Sequence, residues 1–127
     1  MNRAEINKVH TQIFEAATEV YNLLGPGLPP ATYRSCFLHE LRLKDVLFKK
    51  DVIFPIIFKG YKAGEIKIDV VVENNVMVEF LPDPEIIALH IASLQSKLKL
   101  SGFRMGILIT FNTLNMIDGY RKILINQ

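Results

Sequence analysis

Cysteine is almost missing from this chain. Cys36 stands alone among 127 residues, so no internal disulfide can form, which fits a reducing cytoplasm. Long apolar runs are missing too. None approaches the ~20 residues a membrane helix needs, and residues 1–25 mix charged and apolar side chains without the apolar centre of a signal peptide. Basic runs are equally scarce. Lys49-Lys50 and Arg121-Lys122 are the only doublets, and a net charge of +2 gives no stripe that would track phosphates. Binding to DNA or RNA is therefore expected to be weak, salt-dependent and made of phosphate contacts. No repeat or low-complexity segment stands out.

What is present is apolar and periodic. Half of the residues are hydrophobic, enough for one buried core, and the chain reads as a single domain over residues 1–127. Ile6, Val9, Ile13, Ala16, Val20 and Leu23 form one stripe of a helix over 4–24, with Asn2 and Glu5 at capping-box spacing and Gly25-Pro26-Gly27 as the stop. A second helix over 31–45 buries Tyr33, Phe37 and Leu41. Residues 51–58 read as a strand whose Pro55 points to an edge or a bulge, and 59–64 as a connection. After Phe80, Asp83 reads as the cap of a third helix running to Leu100, with Pro84 at its first position, Leu94 and Leu98 inward, and Lys97 and Lys99 outward. Residues 105–111 read as a strand covered on both faces, and 120–125 as a short last strand or helical turn. The order α-α-β-β-β-α-β implies an α/β (α+β) domain with a mixed sheet of four or five strands flanked by helices.

Residues 66–81, IKIDVVVENNVMVEFL, carry the chemistry. Ile66, Ile68, Val70 and Val72 alternate with Lys67, Asp69, Val71 and Glu73, and Met77, Glu79 and Leu81 share a face of the next strand. A two-residue turn on Asn74-Asn75 would separate Asp69 from Glu79. A three-residue turn, Glu73-Asn74-Asn75, pairs them directly. Opposed carboxylates repel unless a cation or proton lies between them, so one of the pair should titrate above its normal range. In the same register Lys67 falls opposite Leu81 on the carboxylate face. Elsewhere, His10 reads as a boundary histidine, and Cys36 with His39 as a core thiol and a surface imidazole.

An Asp followed on the next strand by Glu-x-Lys is the core of the PD-(D/E)XK nucleases, and the wider pattern narrows the likeness. EVYNLLGPGL, Gly27 and Tyr33 six residues apart, HELRLKDV, a strand ending FKG, Asp69, Glu79 and LSGFRMGILITF together resemble the small bacterial family named for its GxxExxY motif. The likeness covers about residues 6–125 and implies a nuclease-like fold with Asp69 and Glu79 as Mg²⁺ ligands. Gly27 and Tyr33 match the name-giving motif, whereas its glutamate falls on Pro30. The lysine of Glu-x-Lys falls on Leu81, and the glutamine of the following helix on Ser93. The family's Arg-x-Asp appears as Lys67-Ile68-Asp69.

Three of the five site groups that the resemblance implies are thus replaced. The expected function is a catalytically degenerate member of a predicted nuclease family, a cytoplasmic pseudoenzyme with no cofactor, retained for binding or scaffolding. The alternative is a weak Mg²⁺-dependent nuclease built on Asp69 and Glu79 with Lys67 as a surrogate lysine. A further alternative, a homo-oligomeric structural protein, would need an exposed apolar patch.

Overall fold

The computed structural model describes residues 2–125. Helix α1 (Arg3–Leu24) starts where the Asn2 side chain accepts the N–H of Glu5, and it ends at Gly25, whose φ of 72° suits a residue without a Cβ. Helix α2 (Pro30–Leu43) opens on Pro30, where a missing N–H costs no helical bond. Strands β1 (Phe48–Phe58) and β2 (Tyr61–Val72) then form a long hairpin. The expected connection over 59–64 shrinks to Lys59-Gly60, both with positive φ, a tight turn that matches strand twist and lets Tyr61–Gly64 pair.

Strand β3 (Val76–Phe80), helix α3 (Ala88–Ser101), strand β4 (Met105–Ile109) and strand β5 (Tyr120–Leu124) complete the chain. The sheet order is β1-β2-β3-β4-β5, and only the β3–β4 pair is parallel, joined by α3 as its crossover. This is the α+β architecture expected, with residues 120–124 supplying a fifth strand. Strand β1 lies at an edge, where Pro55 removes a donor that would otherwise invite another strand.

Helices α1 and α2 cover one face of the sheet. Ile13, Phe37 and Leu41 pack there on Val70, Val78, Ile107 and Ile109. Helix α3 covers the other face, with Leu94 and Leu98 against Met77, Leu108 and Ile123. It lies close to β4 because Gly106 has no side chain: a Cβ there would come within 2.7 Å of a Leu94 methyl.

Two further local expectations change. Helix α3 begins at Ala88, not at Asp83, and the His90 ring caps it by accepting the N–H of Ile87 at Nδ1 (3.1 Å). Asp83 instead ties the preceding loop down. Its carbonyl accepts the Thr110 hydroxyl (2.6 Å), and its carboxylate lies 3.1 Å from His90 Nε2.

The second change concerns strand parity. Val70 and Val72 face α1 and α2, yet Ile66 and Ile68 pack into the α3-side core. The alternation therefore breaks at Asp69. Across from it, Asp51 has a φ of 54° and falls between the pairs Lys50–Val70 and Val52–Ile68 without being paired itself. A left-handed residue in one strand bends the ladder and re-aims the side chains beyond it. The outer half of the hairpin is turned over relative to the inner half.

Candidate active site

The β2–β3 ladder consists of Val70–Val78, Val71–Met77 and Val72–Val76, closed by the three-residue turn Glu73-Asn74-Asn75. Glu73 and Asn74 both take positive φ, and the Asn75 amide braces the turn by donating to the Glu73 carbonyl (2.7 Å). Continuing this register sets Asp69 opposite Glu79. The ladder stops there because the Asp69 carboxylate accepts the N–H of Phe80 at Oδ2 (3.0 Å). The strands part at the two carboxylates.

Glu79 faces α3 and is only 7% exposed. Its pKa is pushed up to about 7, first by burial and then by a hydrogen bond and like charge from Asp69, against the opposing pull of Lys97. Lys97 reaches in from α3 to place Nζ 2.9 Å from Glu79 Oε1. An acid, an acid and an amine thus meet on one sheet face, the amine from a helix rather than from β3. The expectation that Lys97 points outward is corrected by this contact. The signal for it was its place between Leu94 and Leu98, the two residues of α3 that are buried against the sheet.

Lys67 is elsewhere. The broken parity turns it to the α2 side, where its ammonium lies 3.8 Å from Asp51 and its side chain is 61% exposed. Ser93 is exposed on α3, one turn before Lys97. Gly27, with φ of 87°, and Tyr33 belong to one loop brace. The Tyr33 hydroxyl donates to the Gly25 carbonyl (2.6 Å) and accepts the N–H of Leu28 (2.9 Å). Pro30 and Leu81 line a common pocket of about 220 Å³ with Tyr33 and Phe111. His10 hydrogen-bonds the Tyr120 hydroxyl (2.9 Å), joining α1 to β5, and His39 is exposed on α2.

Two adjacent carboxylates form a donor set suited to a hard divalent cation. Mg²⁺ binds through one or two carboxylates and keeps several waters, so Asp69 and Glu79 fit it. Among the described residues no third His, Cys, Asp or Glu joins them. No helix is long and apolar enough to cross a membrane among those residues.

Comparison with known proteins agrees with the geometry. No curated protein and no solved structure matches the chain significantly. The family model of the PD-(D/E)XK nuclease superfamily matches residues 7–123, a span holding every helix and strand except the first four residues of α1 and the last of β5. On that match, and with a mixed sheet that parts at an Asp–Glu pair, the chain belongs to the PD-(D/E)XK nuclease superfamily.

Proposed function

We propose that this protein hydrolyses phosphodiester bonds in nucleic acid with Mg²⁺ held by Asp69 and Glu79, and that Lys97 does the work of the lysine replaced by Leu81. The observation that carries this reading is the 2.9 Å contact between Lys97 and Glu79. When bound, the metal ion would polarise the scissile phosphate and lower the pKa of a bound water. Asp69 supplies charge and, through its bond to Phe80, holds β3 at a fixed distance from β2. Glu79 must lose its proton before it can bind a cation, so metal affinity should rise as pH passes through about 7. Lys97 uses one of its three N–H donors on Glu79 and keeps two for a water or a phosphate oxygen.

A second reading, a binding or scaffolding protein on an inherited nuclease fold, draws support from Pro30 and Leu81. These positions, polar in the GxxExxY pattern, are apolar here and line the same pocket. One experiment separates the two. Purified protein is incubated with single- and double-stranded DNA and RNA in Mg²⁺ or Mn²⁺, beside Lys97→Ala and Asp69→Asn. Metal-dependent cleavage lost in both variants supports the nuclease. A wild type that binds nucleic acid but is inactive with every metal and substrate supports the scaffold.

A further inference from the structure

Four of the fifteen lysines and arginines scattered along the sequence lie on the opposite face of the sheet. Arg34, Leu38 and Arg42 follow one another at four-residue spacing on α2, so they share a flank of that helix. Strand β1 brings Lys50 against this flank. With Ala31 and Ser35 these residues line a pocket of about 250 Å³ that has no carboxylate in its walls. The nearest acid in the network is Asp51, held at 3.0 Å by Arg34 and at 3.8 Å by Lys67. Three cations, Arg34, Arg42 and Lys50, line the pocket, and of these Arg34 is the one paired with Asp51.

The two arginines are also held in place. Arg42 lies over the Phe48 ring at 5.0 Å from its centroid, which fixes the guanidinium beside β1. Arg34 is pinned by Asp51 and by the backbone carbonyl of Asp69 (3.2 Å), and its Nε is buried without a hydrogen-bond partner. A buried N–H without an acceptor is unfavourable until an acceptor arrives. Arg42 and Lys50 make no ion pair among the described residues. Two guanidinium groups, an ammonium and the Ser35 hydroxyl around one small pocket match the oxygens of a tetrahedral phosphate.

We infer that the groove between α2 and β1 is a phosphate-binding site, separate from the Asp69–Glu79 pair and on the other face of the sheet. The phosphate is either that of a nucleic-acid backbone or a free phosphoanion. A backbone phosphate bound there would lie against the residue whose guanidinium also holds the Asp69 carbonyl.

The test is run in EDTA, where metal-dependent cleavage cannot occur, so its outcome is independent of whether the carboxylate site is active. Anisotropy of a labelled oligothymidylate is measured at 50 and 200 mM salt for the wild type, Lys50→Ala, and Lys50→Ala with Arg42→Ala, with and without pyrophosphate as competitor. The double variant should bind about tenfold more weakly at the lower salt, and its salt slope should fall by about two charges' worth. The single variant, which leaves Arg42 on Phe48, should show a smaller loss of the same kind, and the melting temperatures should confirm that each variant is folded. Competition by pyrophosphate that disappears in the double variant identifies a small phosphoanion as a sufficient ligand. A loss seen for the oligonucleotide without such competition identifies the backbone of a nucleic acid. Equal binding by the wild type and both variants would overturn the proposal, as would no binding of either probe by the wild type.

Discussion

The two faces of the sheet at the middle of β2 are electrostatic opposites. On the α3 side, one ammonium from Lys97 is drawn to the carboxylates of Asp69 and Glu79. On the α2 side, the Asp51 carboxylate pairs with Arg34 and Lys67, and Arg34 also lines a pocket with Arg42 and Lys50. Solvent separates the two further. The Glu79 side chain is 10% exposed, whereas the Asp51 side chain is 47% exposed. A desolvated charge carries a penalty that only a proton, a partner or a metal relieves, while water screens the exposed group. The buried face is therefore suited to chemistry and the exposed face to holding an anion.

The sharpest way to break this comparison is to exchange the lysines between the two roles. Lys97→Ala should lower metal-dependent cleavage by ~10²–10⁴-fold, the usual worth of a positioned proton-handling or charge-stabilising group, and Lys67→Ala should leave it unchanged. Single-turnover rates on one substrate decide the matter. The reverse pattern would move the site to the α2 face.

The next effect is on stability and has a definite sign. Burial raises the Glu79 pKa from 4.5 to about 7, so folding favours its protonated form. That preference is fully present below pH 4.5 and is lost as pH rises through about 7. The resulting loss is up to about 3 kcal/mol, with the pull of Lys97 already included in the shift. Glu79→Gln should therefore stabilise the metal-free protein at pH 8 by roughly 1–3 kcal/mol and change little at pH 4. Urea melts at the two pH values measure this, and a loss at pH 8 would show that the ion pair with Lys97 outweighs desolvation.

Gly106→Ala probes how α3 delivers Lys97. The added methyl would meet Leu94, which is 1% exposed and has little room to move, so the substitution should cost about 1–3 kcal/mol. It should also reduce cleavage by displacing the helix, although residue 106 lies outside the catalytic cluster. The smallest effect belongs to the exposed face. Lys67→Ala removes a contact of 3.8 Å at a side chain that is 61% exposed, and stability should change by no more than about 0.5 kcal/mol.

Much of this molecule was legible before folding was considered. Apolar stripes of period three to four marked α1 and α2, since a helix buries one face at that spacing. Parity alone required a three-residue turn at Glu73-Asn74-Asn75 if Asp69 and Glu79 were to pair, and a turn of that length is a local property of the chain. The edge position of Pro55 followed from its missing N–H. What could not be read were relations between segments. Asp51 tolerates a positive φ but does not demand one, so the reversal that sends Lys67 to the α2 face left no mark in the sequence. Lys97 lies 18 residues beyond Glu79, and their contact depends on how α3 settles on Gly106 of β4.

The sequence by itself determined helices α1 and α2, the hairpin turn and the two candidate carboxylates, because periodicity, turn chemistry and strand parity act over a few residues. Only the tertiary structure decided which cation meets which acid. Charge interactions depend on distance and burial, and both are set when helices dock on the sheet.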